Sequence, residues 1–231
     1  MIKQVSSFSK LPTETYLTLE IKVLFNGFKN SAIETCLWLK QSEKPEALIL
    51  GYGDTAYVSY FGGNTDEIEA FLRALSFKKI VTDAPFPFIC VTKENSVFKR
   101  SEGGVALSKP EIPSLFELYE KLKFGVGKDI SLPDFSSFAP DTSHLLRHGF
   151  AFSVCKDFGA AFVHTTEDMG VLKGISVKEE LRNKGFGTKL LELCLDLCPK
   201  GLFAATEFGQ DFYLKNGFLK EPYTIYYGAL K

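Results

Sequence analysis

Six consecutive residues, Arg182-Asn183-Lys184-Gly185-Phe186-Gly187, combine two cations with two glycines. They follow an apolar, β-branched run at 171–177, with a small break at Gly174. After them Leu190, Leu191, Cys194, Leu197 and Cys198 recur at helical spacing, with Lys189, Glu192 and Asp196 opposite. The pattern predicts strand, loop and helix in that order. A helix start presents unpaired backbone N–H groups and the positive end of the helix dipole. Glycines let that backbone approach a ligand closely, and Arg182 and Lys184 add charge. The chemistry such a loop serves is the holding of an anion, here a diphosphate.

The elements that must position this loop belong to a chain of 231 residues, enough for one large domain or two smaller ones. Apolar content of 45% with 22 Phe describes a folded globular protein rather than a disordered one. A net charge of −1 offers no global field for nucleic acid or an anionic membrane. No apolar run reaches the roughly 18 residues of a bilayer span, and the start MIKQVSSFSKLPTE has no apolar signal core. A cytoplasmic protein is expected, without nucleic acid or membrane as partner. The five cysteines are odd in number and scattered, which suits free thiols in a reducing compartment. Cys194 and Cys198 have no partner pair, so no metal is expected.

Residues 11–28 carry helical spacing at Leu17, Ile21, Leu24, Phe25 and Phe28, while Leu17, Leu19, Ile21 and Val23 also alternate as a strand would. Strands are predicted at 33–40, 47–51 and 56–61, the last two joined by the turn Tyr52-Gly53-Asp54-Thr55. A helix capped by Asn64 or Thr65 follows, carrying Ile68, Phe71, Leu72 and Leu75, then a strand at 79–82. Residues 83–101, with two prolines and mixed polarity, read as a linker. Beyond it the predicted order is a strand at 105–107 and helices at 114–122 and 141–147. A hairpin of 150–156 and 160–165 across Asp157-Phe158-Gly159 leads to the strand, loop and helix described first. A strand at 202–206, a helix at 210–215 and a strand at 223–229 complete the chain.

With R-x-x-G-x-G at Arg182, Gly185 and Gly187, and Tyr213 four residues before Gly217-Phe218, this order resembles the GNAT superfamily of acyl-CoA-dependent N-acyltransferases. The resemblance covers residues 102–231 and implies an α/β fold with a mixed sheet and acetyl-CoA as cosubstrate. It places the CoA diphosphate on the amides of Arg182, Asn183, Lys184, Gly185, Phe186 and Gly187, with the Thr188 hydroxyl. The pantetheine arm would pair with the strand around Ile175 and Val177. Direct transfer to an amine is implied, and a lysine-like amine, with a reference pKa of about 10.4, must first lose a proton. The departing thiolate must gain one, and Tyr213 is the candidate acid. Strand amides would hold the thioester oxygen.

The strand at 171–176 offers no carboxylate or histidine as base. Glu207, at the end of the 202–206 strand, is the first candidate, followed by His164, Asp168, His148 or a water chain. Plainer roles compete with these: Tyr213 as a packing aromatic, Glu207 as a solvated or capping carboxylate. Other phosphate motifs fail. Gly125-Val126-Gly127-Lys128 lacks the first P-loop glycine, with Leu122 in its place, and Asp129 replaces Ser/Thr. Gly51 and Gly53 lead into a strand.

Two domains are expected, 1–100 and 101–231. The first repeats the β-β-β-α-β order of the second and reads as a partial GNAT-like copy. Its helix start, Gly62-Gly63-Asn64-Thr65-Asp66-Glu67, places carboxylates where a diphosphate would lie, with no Arg or Lys to compensate. This half is expected not to bind CoA and to support the acceptor side. The acceptor, a small-molecule or protein amine, would be framed by 122–148. There Asp129, Asp134 and Asp141, with Phe124, Phe135 and Phe138, suit a cationic amine. Two alternatives stay open: a longer acyl donor, and a non-catalytic CoA-binding or regulatory module.

Overall fold

A computed structural model describes residues 1–8, 14–103, 114–125, 132–166 and 168–231. The predicted strand at 105–107 lies outside the described residues. The chain forms two compact units, Met1–Val97 with Glu221–Lys231, and Phe98–Lys220.

In the first unit, β1 (Ile2–Gln4) precedes α1 (Tyr16–Phe28). Thr15 caps α1 by accepting from the Thr18 N–H, while the Thr15 N–H donates to the Thr18 hydroxyl at 2.7 Å. This reciprocal cap and burial around most of the helix decide between the two patterns read at 17–23. β2 (Thr35–Gln41), β3 (Pro45–Tyr52) and β4 (Thr55–Tyr60) form an antiparallel meander. α2 (Asp66–Ala74) then returns the chain to β5 (Lys79–Thr82), parallel to β4. Ala47, Ile49, Val58 and Ile80 meet Ile68 and Leu72 of α2 in one core.

Residues 83–101 are not a linker. They contain β6 (Ile89–Arg100), a strand of 12 residues. Its first half is largely exposed and its middle is polar, so side-chain alternation fails as a signal, while Ile89, Asn95, Val97 and Phe98 are buried. The sheet order in this unit is β1-β2-β3-β4-β5-β11-β6, where β11 spans Leu219–Leu230.

In the second unit, α3 (Leu115–Leu122) runs into a 3-10 turn at Lys123–Gly125. α4 spans Phe135–Arg147, beginning six residues earlier than 141, because Asp134 caps it by accepting from the Ser137 N–H at 2.9 Å. Pro140 sits inside this helix and hid its first turns from the sequence pattern. β7 (Ala151–Lys156), β8 (Gly159–Thr166) and β9 (Met169–Val177) form a second antiparallel meander. α5 (Phe186–Asp196) leads to β10 (Gly201–Thr206), parallel to β9, and α6 (Gln210–Lys215) follows. Leu190, Leu191, Cys194 and Leu195 of α5 bury against Val163, Leu172 and Leu202. α3 and α4 pack on each other and on β7 to β9.

Candidate active site

The site opens where two parallel strands part. β9 and β10 pair from Gly201 opposite Met169 to Ala204 opposite Leu172, and there the ladder ends. On its other edge β9 stays paired with β8 through Val177 opposite Gly159. Alternate amides of Lys173 to Val177 therefore face a gap instead of a neighbouring strand. The break expected at Gly174 is a β-bulge. Gly174 opposes Phe162 and Leu172 opposes Val163, which leaves Lys173 as the extra residue.

A cavity of about 460 Å³ fills this gap. Leu172 to Val177 form one wall, Ala205 and Thr206 another, and Arg182, Asn183, Gly185, Gly187 and Thr188 close one end. Phe208, Gly209, Phe212 and Tyr213 complete it from the α6 side. The loop is shaped by left-handed backbone at Asn183 (φ 58°) and at Gly185 (φ 81°), the N-cap of α5. Gly187 lies close under α6: a Cβ there would stand 3.1 Å from the Phe212 ring, which would have to give way by a few tenths of an ångström.

Arg182 is occupied within the protein. Its Nε donates to the Val177 carbonyl at 3.2 Å, and a terminal nitrogen donates to the Phe124 carbonyl. Glu179 stands 3.8 Å from the guanidinium. Nearby, the buried Ser176 hydroxyl donates to the Lys121 carbonyl at 2.6 Å. Both contacts fasten the end of α3 and its 3-10 turn to β9.

Tyr213 lines the cavity and is 8% exposed. Its ring stacks on Phe98 at 5.7 Å and meets Phe212 and Phe218 edge-on. Packing aromatic and cavity wall are thus one residue.

Of the residues singled out by sequence, Ile175, Val177, Arg182, Asn183, Gly185, Gly187, Thr188 and Tyr213 meet at this cavity. Lys184, Phe186 and Glu207 are not among its walls. Lys184 donates to the Glu180 carbonyl at 2.8 Å, and the Phe186 ring packs on Phe158. Glu207 is exposed. The weaker base candidates lie elsewhere too. His164 is buried on β8 against Phe162, Asp168 pairs with Lys200 at 2.5 Å, and His148 lies beside His144. Asp134 is committed to α4, where the Ser136 hydroxyl and Ser137 amide hold its carboxyl below the usual range. Asp129 lies outside the described residues. The cavity residues Thr206, Phe208 and Phe212 carried no signal beyond their nearness to Tyr213. No group of three or more metal-ligating side chains occurs among the described residues.

The corresponding place in the first unit is filled. β4 and β5 pair as far as Val58 opposite Thr82. At the next position the Asp83 carboxylate accepts from the Tyr60 N–H and the Ser59 hydroxyl, each at 2.7 Å. At the α2 start, a Cβ on Gly63 would lie 2.3 Å from the Glu46 carboxylate. The expectation that no cation compensates the acidic residues here is corrected. Lys40, on β2, pairs with Glu46 and stands 3.7 Å from Glu67.

Residues 113–218 match the model of the Acetyltransferase (GNAT) family, which marks this stretch as a GNAT domain and supports an acyltransferase. Among solved structures, a GCN5-related N-acetyltransferase from Kribbella flavida aligns with a TM-score of 0.56 at 10% identity, over 95% of this chain and 96% of that one. A tandem GNAT protein from the clavulanic acid biosynthesis pathway aligns with a TM-score of 0.52 at 8% identity, over 99% and 98%. An N-myristoyltransferase from Saccharomyces cerevisiae, with bound myristoyl-CoA and inhibitors, aligns at 0.52 and 11% identity, over 90% and 71%. At these identities the likeness is one of fold. A sequence comparison with functionally curated proteins finds no match. No helix among the described residues is long and apolar enough to cross a membrane.

Proposed function

We propose that the second unit transfers an acetyl group from acetyl-CoA to a primary amine by direct attack. The observation that carries this is the continuous cavity from the α5 loop, along the unpaired edge of β9, to Tyr213. The diphosphate takes the amides of Asn183 to Gly187 and the positive end of α5. The pantetheine amides pair with β9 around Ile175 and Val177, which supply the missing strand. The acceptor ammonium first gives a proton to solvent. Its nitrogen then bonds to the thioester carbon, the β9 amides stabilise the oxygen as it gains charge, and the C–S bond breaks. The thiolate takes the Tyr213 hydroxyl proton, the amide product sheds its surplus proton to water, and Tyr213 is reprotonated from solvent. The cavity wall has no carboxylate or histidine side chain among the described residues, which supports water over Glu207 as the proton acceptor.

Acetyl-CoA should raise the melting temperature, because a ligand of the native state stabilises it. Gly185→Val and Gly187→Leu should each abolish the rise, the first through backbone strain and the second through collision with Phe212. A rise that survives both would remove the cofactor from this loop. Thiol release with a panel of amines then reports transfer.

We further propose that the first unit is a partial second GNAT copy without a CoA site. The order β2-β3-β4-α2-β5 repeats β7-β8-β9-α5-β10, including the parallel final pair. Asp83 and Glu46 lie where the second unit has its strand gap and its loop.

A further inference from the structure

We propose that Arg100 is a positioning residue for the transfer: from β6 it fixes the end of α6, and through that end it sets where the Tyr213 hydroxyl meets the departing thiolate. The proposal rests on Tyr213 as the acid of the reaction above and adds the group that holds it.

Tyr213 owes its place to the way α6 stops. The helix has six residues, Gln210–Lys215, and begins at Gly209, which has no side chain to cap with. A helix this short does not hold itself together in water. It ends in a Schellman motif. The Gly217 N–H donates to the Leu214 carbonyl and the Phe218 N–H to the Tyr213 carbonyl, each at 3.1 Å. Gly217 supplies the left-handed residue that the motif requires, with φ 77°. The Phe218 ring meets the Tyr213 ring edge-on at 5.5 Å, the apolar contact that accompanies such an end. Tyr213, Gly217 and Phe218, read together in the sequence, are three positions of a single turn.

β6 holds that turn from outside. Phe98 stacks on the Tyr213 ring at 5.7 Å. Two residues on, and so on the same face of the strand, Arg100 donates from a terminal nitrogen to the Asn216 carbonyl at 3.1 Å. Its guanidinium also lies against the Gly217 turn, where a Cβ on Gly217 would stand 3.8 Å from Arg100 Nε. Asn216 is the C-cap of α6, and its side-chain amide donates back to the Phe212 carbonyl at 2.7 Å. Carbonyls at a helix C-terminus carry partial negative charge, so a cation is favourable there. Phe98 thus fixes the ring, while Arg100 fixes the backbone that carries it. An acid must stand within hydrogen-bond reach of the atom it protonates, and a misplacement of about 1 Å costs about a hundredfold in rate.

The test uses the full chain, acetyl-CoA, and thiol release with the fastest acceptor among putrescine, tyramine and the common α-amino acids. Arg100→Met keeps the stem and removes donor and charge, and Arg100→Lys keeps both. Gly217→Ala has room for its Cβ but strains the left-handed backbone. Each is made in wild type and in Tyr213→Phe, and a retained rise in melting temperature with acetyl-CoA shows that the variant is folded. Arg100→Met and Gly217→Ala should each lower kcat by about tenfold to a hundredfold, with the KM for acetyl-CoA nearly unchanged. Arg100→Lys should keep most of the rate, because its ammonium can donate to the same carbonyl. In Tyr213→Phe neither Arg100→Met nor Gly217→Ala should cost kcat further, because the group they place is already gone. Equal losses in both backgrounds would overturn the proposal, since Arg100 would then act without Tyr213. So would a loss carried by the KM for acetyl-CoA, or an Arg100→Met enzyme as fast as wild type. A Tyr213→Phe enzyme with full kcat would instead defeat the acid assignment, and the positioning with it.

Discussion

Arg182 stands first in the glycine-loop motif, yet its guanidinium bonds to two backbone carbonyls of its own unit. It holds the loop to β9 and to the end of α3, so its contribution to cofactor binding passes through backbone placement. Acetyl-pantetheine, which lacks the diphosphate, separates this role from direct phosphate binding. Arg182→Ala should raise the KM for acetyl-CoA and for acetyl-pantetheine by a similar factor, about tenfold for lost charge-assisted bonds. A penalty seen only with the full cofactor would make Arg182 a phosphate ligand. Tyr213 allows a cleaner separation. Phe keeps the stack on Phe98 and the edge contacts with Phe212 and Phe218. Tyr213→Phe should leave the melting temperature nearly unchanged and cut kcat by about 10²-fold to 10⁴-fold, the usual worth of a positioned acid. An unchanged kcat would reduce Tyr213 to packing.

At the scale of elements, both units bring two parallel strands together and then part them, and they treat the opening differently. In the second unit it stays open between β9 and β10. In the first, Asp83 takes the free Tyr60 amide and the Ser59 hydroxyl beyond the β4–β5 ladder. Burial raises the Asp83 carboxyl above its ordinary value, against the pull of those two bonds. A carboxyl with a raised folded pKa holds its proton more tightly folded than unfolded. Its contribution to stability is therefore greatest below the unfolded value and declines as pH rises to the folded one. Asp83→Asn should remove that decline, which begins at roughly pH 4, in melting temperatures measured across pH. An identical slope in the variant would show that Asp83 does not titrate in this way. The parting of the strands was not legible in the sequence, because pairing partners far apart in the chain decide it. Local features were legible. The loop, the α5 stripe and the Tyr213 motif each lie within a dozen residues, and each is where the sequence put it. The misread stretches fail for local reasons: β6 has a largely exposed first half and a polar middle, and Pro140 masks the start of α4. Lys40 was missed as the partner of Glu46 because it reaches that carboxylate from another strand.

Across the whole molecule, a repeated β-β-β-α-β order poses the question of how many cofactors one chain takes. The α5 start offers two left-handed residues, an uncovered glycine and open backbone. The α2 start also has left-handed glycines, at Gly62 and Gly63, so backbone shape alone does not distinguish the two. Charge does. Asp66, Glu67 and Glu69 occupy the first turn of α2, and the Glu46 carboxylate lies over Gly63. Lys40 binds Glu46, and that bond holds the Glu46 carboxyl below its usual range, so it stays ionised near neutral pH. A diphosphate arriving there would meet a carboxylate in its place and the acidic first turn behind it. Isothermal titration with CoA should therefore give one site per chain, and Gly185→Val with Gly187→Leu should reduce it to none. A second site that persists in that double variant would place a cofactor in the first unit. Loss of all binding would place the cofactor at the α5 start.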